Sequence, residues 1–291
     1  MNYGEEMSIL KKYTFKSEQK GCNILFLGAV HGNEQAGTKA IFKVITKFAS
    51  KAISPLKGSV SFIPVCNPKA FDANVRQIDE NLNRIVKKYD NPSSYEQMIA
   101  NELVEHIQSA DIIIDLHSTQ ALDTKPFIFN DYPDNFVNEM IAAQTVEYVV
   151  EGWPEIYASC ENVQDFSTGF CAHEAGKCCV TVECGSHFSE DTVHNAYNII
   201  MNTLLYFGMV EGFATKKIKQ KVVVMDEIFI KTKEGRLSRE FKHLDEIKQG
   251  EIVAFYDDGT QLISSRDCFI LLPKSNALVK SEWFYFGHIK E

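Results

Sequence analysis

Cationic charge is what this sequence is short of: 30 Lys and Arg stand against 39 Asp and Glu, a formal net charge of −9 with an isoelectric point near 5.5. Nucleic acids and anionic membrane surfaces are gripped by clustered Lys and Arg, so neither is an expected partner. An anionic small molecule stays within reach, because one or two local arginines can oppose the overall field. Long apolar runs are missing too. No stretch reaches the ~18 residues of a membrane span, and the opening MNYGEEMSILKKYTF holds no basic segment followed by an apolar one; the expectation is a cytoplasmic protein without membrane contact. Eight cysteines occur, at 22, 66, 160, 171, 178, 179, 184 and 268, but no two are spaced as CxxC. That removes the usual sign of a thiolate metal site or a redox motif, and reduced thiols acting as small apolar side chains are the expected state. Internal repeats and low-complexity segments are also absent.

What is present is 45% hydrophobic residues in a chain of 291, enough for a sizeable core. The first half alternates apolar runs with helical periodicity, the pattern of strands interleaved with helices. CNILFLGAV, SVSFIPVCNP, DIIIDLH, PFIFN, YVVEGW and CCVTVECG read as strands. Ala40, Ile41, Val44, Ile45 and Phe48 mark one face of a helix. Tyr95 to Ile107 forms another with Met98, Leu103 and Ile107 inward, and a long helix capped by Asp191 runs to Val210. After the lysine-rich ATKKIKQK, read as a solvated linker, VVVMDEIFI, GEIVAFYDDG, CFILLP and ALVKSEWFYFG are strands with no helical stretch between them. The expected fold is therefore α/β over residues 1–217, followed by a small β-rich domain over 218–291.

Ligand sites in open α/β sheets lie beyond the carboxyl ends of the strands. His31 and Glu34 follow one strand end, His117 closes another and Glu183 a third. Two imidazoles with one carboxylate form the ligand set of a catalytic zinc that keeps a position open for water. Either histidine alone reads more readily as an ordinary hydrogen-bonded loop residue; together at successive strand ends they point to one zinc per chain held by His31, Glu34 and His117. Gly28 and Gly32 flank the first pair, as a tight loop requires. Glu183 is the candidate for the carboxylate that takes a proton from water and passes it to a leaving nitrogen. In NVRQIDENLNR, Arg76, Asn83 and Arg84 gather in one loop, and guanidinium forks suit a carboxylate substrate and an oxyanion.

GAVHGNEQAG, NPKAFDANVRQIDENLNR, DLHST and VTVECG, in that order, resemble the succinylglutamate desuccinylase/aspartoacylase family, itself similar to zinc carboxypeptidases. The resemblance covers about residues 22 to 190 and reaches more weakly into LLPKSNALVKSEWFYFG. It implies a carboxypeptidase-like three-layer α/β/α domain with a mixed sheet, followed by a β-rich domain partly covering the active site. It also implies zinc at His31, Glu34 and His117, with Glu183 as general base and acid. Arg76 would polarise the scissile carbonyl, and Asn83 with Arg84 would hold the substrate carboxylate. The family commonly has Asp where this chain has Asn81. Aspartoacylases also carry an arginine shortly before the catalytic glutamate, and a C-terminal tyrosine, to bind a second carboxylate. Here FSTGFCAHEAGKCCVTVECG offers only His173 and Lys177 as basic residues, and Leu278 falls near the tyrosine's place. The expected function is zinc-dependent hydrolysis of an N-acyl amino acid, a small-molecule substrate, with self-association into a homo-oligomer left open. A metallocarboxypeptidase acting on a small peptide is the alternative within enzymes, and a catalytically dead binding module the alternative outside them.

Overall fold

The computed structural model describes residues 8–121, 123–158, 166–212 and 218–290. Its elements run β1 (Tyr13–Lys16), β2 (Asn23–Gly28), α1 (Gln35–Ala49), β3 (Ser59–Ile63), α2 (Pro68–Asp72), a 3-10 turn (Leu82–Arg84), α3 (Tyr95–Gln108), β4 (Ile112–Thr119), β5 (Phe127–Phe129), α4 (Asn135–Ala142), β6 (Tyr148–Glu151), α5 (Trp153–Ala158), α6 (Thr168–Glu174), β7 (Cys178–Ser186) and α7 (Asp191–Tyr206). Strands alone follow: β8 (Lys221–Ile230), β9 (Gly235–Leu237), β10 (Asp245–Ile247), β11 (Ile252–Tyr256), β12 (Gln261–Ile263), β13 (Cys268–Leu271) and β14 (Glu282–Ile289).

The central strands are apolar on both faces because both faces are covered. From β2, Ile24 and Phe26 turn to one side, where they meet α1, α4 and α7. Leu25 and Leu27 turn to the other, where α3 packs with Cys171 and Ala172 of α6. The adjacent thiols of Cys178 and Cys179 split between the same two layers, as the period of two requires. The described cysteines are free thiols, and Cys160 lies outside the described residues.

The main sheet has the order β1-β3-β2-β4-β7-β5-β6-β8-β14-β13-β10. β2 is parallel to both β3 and β4, so successive connections leave β2 in opposite directions and open a crevice beyond the ends of β2 and β4. β5 enters antiparallel to β7, which makes the sheet mixed. The β-rich C-terminal part prolongs this sheet through the parallel pairing of β8 with β6, and adds a second sheet ordered β12-β11-β9. Its own core holds Trp283, Phe284, Phe286 and Ile270, while Phe127, Tyr157, Leu271 and Tyr285 pack in a cluster that joins it to the α/β layers.

Three expectations change in detail. α7 stops at Tyr206 instead of Val210, because Gly208 takes a left-handed φ of 58° and Met209 closes back on the carbonyl of Leu204 at 2.8 Å. Asp191 lies in the first turn of α7, and the capping position belongs to Glu190, which makes no side-chain cap. Met98 is 41% exposed, since the inward face of α3 runs through Tyr95, Ile99, Leu103 and Ile107. Of the lysine-rich linker, residues 214–217 lie outside the described residues; Gln220, just beyond, donates to the carbonyls of Ile141 and Val146.

The turn leaving β2 is constrained from both ends. Ala29 adopts φ 46°, a left-handed conformation that costs a non-glycine residue on the order of 1 kcal/mol. Gly32 presses against α2 so closely that a Cβ there would lie 2.1 Å from the carbonyl carbon of Ala70, and its N–H donates to Arg76 O at 3.1 Å. Gly32→Ala is therefore expected to cost about 1–3 kcal/mol in urea unfolding, as overpacking does. Unchanged stability would show that this contact yields freely.

Candidate functional site

The crevice becomes a cavity of about 870 Å³. His31 and Glu34 enter it from the turn before α1, and His117 from the end of β4. His117 lies beside Glu183 in the parallel β4–β7 register, so one rung of the sheet carries an imidazole and a carboxylate. His31, Glu34 and His117 are buried, and one ligand atom from each lies within 4.8 Å of the others. His31 Nδ1 is 2.8 Å from Glu34 Oε1 and His117 Nδ1 is 2.9 Å from Glu34 Oε2. Ser118 N–H donates to the same Oε2 at 3.0 Å, and Arg76 Nη1 to Oε1 at 3.3 Å.

The far sides of both imidazoles are also occupied. His31 Nε2 is 3.1 Å from Asn81 Oδ1, an oxygen that already accepts the N–H of Asn83. His117 Nε2 is 2.9 Å from Asp115 Oδ2, an ion-pair contact outside hydrogen-bond geometry. Burial, opposed by Glu34, lowers the His31 pKa to about 4, so that ring is neutral and carries one proton. The tautomer that carries its proton on Nε2, facing Asn81, would turn the Nδ1 lone pair to a cation shared with Glu34. Burial also opposes charge on His117, but Asp115 and Glu34 outweigh it and raise its pKa well above the usual value. Glu34 is held well below the carboxylate range: burial would raise it, and the two histidines overcome that.

Glu183 differs from Glu34, whose two oxygens are both engaged. Its Oε2 is buried with no hydrogen-bond partner among the described residues. Burial first, then repulsion from Glu34, raises its pKa to about 8 against the attraction of His117 and Arg76. A neutral carboxyl poised near neutrality is a proton donor and acceptor in waiting.

Arg76, Asn83 and Arg84 all line the cavity. The organiser of their loop is Glu96 of α3, fully buried, which accepts the N–H groups of Ile78 at 2.7 Å, Asp79 at 3.1 Å and Glu80 at 3.3 Å. Asn83 Oδ1 accepts Thr168 N–H at 3.0 Å. Arg84 donates to Asn83 O at 2.8 Å and to Tyr157 Oη at 2.9 Å. Tyr157 in turn donates to Glu282 of β14, whose other oxygen accepts Lys274 Nζ at 2.6 Å. Burial would raise the Glu282 carboxyl, but Lys274 and Arg84 bring it down to about 2.

The two basic residues that precede Glu183 in its segment stay outside the cavity. His173 is exposed and stacks on Tyr132, and neither it nor Lys177 is among the residues lining the cavity. The lining lysines are Lys242 and Lys274, paired with Asp123 and Glu282. Leu278 does line the mouth, 77% exposed. Sequence reading passed over Asp115, Glu96 and Glu282. Asp115 was within reach, because on a strand it shares the face of His117 two positions on, and Glu96 was signalled by an acidic side chain on the inward stripe of α3.

Residues 20–206 match the succinylglutamate desuccinylase/aspartoacylase catalytic domain, and the chain belongs to that family of deacylases. A probable aspartoacylase of a Nostoc species is 33% identical over 107 residues, 34% of this chain and 35% of that protein. A second, of Prochlorococcus marinus, is 28% identical over 191 residues, 62% of this chain and 60% of that protein. The chain thus matches less than two thirds of the length of either. A crystal structure of a succinylglutamate desuccinylase/aspartoacylase from Rhodobacter sphaeroides superposes with a TM-score of 0.75 at 17% identity, over 97% of this chain and 90% of that one. At that identity the likeness is one of fold. No described helix is long and apolar enough to cross a membrane.

The pKa of Glu183 has a consequence for the metal-free protein. The folded chain holds this proton up to about pH 8, whereas the ordinary carboxyl value is 4.5. The native state therefore binds more protons in that window and loses stability as pH rises through it. Glu183→Gln removes the titration, so the metal-free variant should gain on the metal-free parent in urea unfolding as pH climbs from 4.5 to about 8. A difference that stays flat or shrinks would contradict the assignment.

Proposed function

We propose that this chain is a zinc-dependent amidohydrolase that cleaves N-acyl amino acids. The observation that carries the reading is the buried His31–Glu34–His117 cluster open to one cavity, with Glu183 on the same rung of the sheet as His117 and its Oε2 without a hydrogen-bond partner among the described residues. The residues fit zinc: two imidazole nitrogens and a carboxylate converge, each imidazole is backed by an oxygen on its far side, and Glu34 and the histidines face one another with more lone pairs than protons. A zinc held there supplies Lewis-acid charge that acidifies water and polarises a carbonyl.

The chain's own groups do the rest. Glu183 takes the proton of the attacking water and delivers it to the departing nitrogen. Arg76, with its guanidinium already beside Glu34, donates to the carbonyl oxygen as negative charge develops on it. Asn83 and Arg84 bind the α-carboxylate, with Arg84 aimed by Asn83 O and Tyr157 and seated over the rings of Trp153 and Tyr157. The division of labour follows the sequence boundary: residues 1–217 carry the chemistry, and 218–291 supply Lys274 and Glu282 to the wall. The substrate is a small molecule, and the free thiols suit a reducing cytoplasm.

His117→Ala is expected to lose zinc on dialysis, because two remaining ligands hold it weakly. Glu183→Gln should keep one zinc per chain and lose roughly 10²–10⁴ in turnover. Metal analysis and steady-state rates check both; full zinc in His117→Ala, or near-parental turnover in Glu183→Gln, would contradict the roles.

A second carboxylate on the substrate finds the cavity lysines already paired. We therefore expect kcat/KM for N-acetylaspartate to be no higher than for neutral N-acetyl amino acids, and Arg84→Ala to weaken binding of all of them by roughly 2–5 kcal/mol. A preference for N-acetylaspartate of about 10³-fold would show the side-chain pocket misread.

A further inference from the structure

His187 lies in the turn between β7 and α7 and plays no part in the mechanism above. Its backbone N–H donates to Thr119 O at 2.8 Å, which fixes the turn to the end of β4. Its ring lines the cavity, with Nδ1 2.8 Å from Ser118 Oγ. Ser118 is buried, follows His117 in sequence and gives its own N–H to Glu34. The opposite nitrogen, His187 Nε2, is buried and has no hydrogen-bond partner among the described residues. Through Ser118, the neighbour of His117 in sequence, the ring sits on the same wall of the cavity as the His31–Glu34–His117 cluster.

The Ser118 contact favours one place for the ring proton. A buried hydroxyl must place its hydrogen on an acceptor, and the acceptor in contact with Ser118 Oγ is Nδ1. An imidazole that accepts at Nδ1 carries its proton on Nε2. With Ser118 as donor, the ring that lines the cavity carries at Nε2 a buried N–H with no partner among the described residues, a costly arrangement unless something in the reaction pairs with it.

We propose that His187 is a second catalytic donor, with Nε2–H directed at the scissile carbonyl oxygen beside Arg76. The inference rests on the deacylase reading. As the water oxygen bonds to the carbonyl carbon, the π pair moves onto the carbonyl oxygen and the hydrogen bond from Nε2 strengthens. The pair returns as the C–N bond breaks, and the leaving nitrogen takes its proton through Glu183. His187 keeps its own proton throughout. A neutral donor beside a cationic one spreads the oxyanion charge without adding net positive charge next to the metal ligands.

The test uses the full-length, zinc-loaded protein with N-acetyl and N-succinyl amino acids. His187→Phe keeps a ring but removes the donor, His187→Gln returns an N–H near the position of Nε2, and Ser118→Ala frees the tautomer. His187→Phe should lose roughly 10²–10³ in kcat on both acyl classes with KM little changed and zinc content unaltered. His187→Gln should recover at least about tenfold of that loss, and Ser118→Ala should lose less than His187→Phe. Imidazole ¹⁵N shifts in the metal-free parent should report the Nε2–H tautomer, giving a readout independent of turnover. The proposal is overturned by near-parental kcat in a folded His187→Phe, by a loss confined to KM for succinyl substrates, or by an Nδ1–H tautomer. A parent inactive on every N-acyl amino acid would instead overturn the deacylase reading itself.

Discussion

Everything at the site turns on the carboxylate of Glu34. It is removed from water, yet held ionised by two imidazoles, a backbone N–H from Ser118 and the guanidinium of Arg76. A buried charge of this kind is tolerable only when it is fully surrounded by donors or a cation. Supplying those donors requires the turn after β2, the end of β4 and the Arg76 loop to converge within a few ångströms. The strained φ of Ala29, the close approach of Gly32 to α2 and the Glu96 carboxylate that gathers Ile78, Asp79 and Glu80 are the means by which they do. The electrostatics then propagate: burial, reinforced by the charge of Glu34, pushes Glu183 on β7 towards its neutral form, so the two carboxyl groups differ in charge.

The C-terminal strands complete this arrangement rather than merely covering it. Glu282 on β14 accepts from Tyr157, which accepts from Arg84, and Lys274 closes the chain on the other side. The orientation of Arg84 thus depends on residues about two hundred positions away in sequence. An acidic group with its pKa drawn down to about 2 beside Arg84 also keeps that guanidinium from presenting an uncompensated charge.

Much of this was legible in the sequence. The apolar runs of β2, β4 and β7 are continuous because helices cover both faces, so their ends could be read as a rim and His31, Glu34, His117 and Glu183 placed on it together. Short-range signals decided less well. Gly208 ended α7 before the apolar run of Met209 and Val210, and Met98 fell off the inward stripe of α3. Long-range pairing was out of reach: nothing local to Glu282 announces Tyr157 or Arg84, and nothing near Asn81 announces His31. His187 was invisible for the same reason, since a histidine four residues past a strand-end glutamate gains meaning only when Ser118 is seen beside it.

The proposed zinc site consists of His31, Glu34 and His117 and includes none of the thiols. Zinc K-edge X-ray absorption on protein loaded with one equivalent of metal addresses it directly. The account predicts a first shell of nitrogen and oxygen alone near 2.0–2.1 Å, with the multiple-scattering pattern of two imidazoles. A sulfur shell near 2.3 Å, or the same two-imidazole pattern persisting in a variant lacking both His31 and His117, would contradict it.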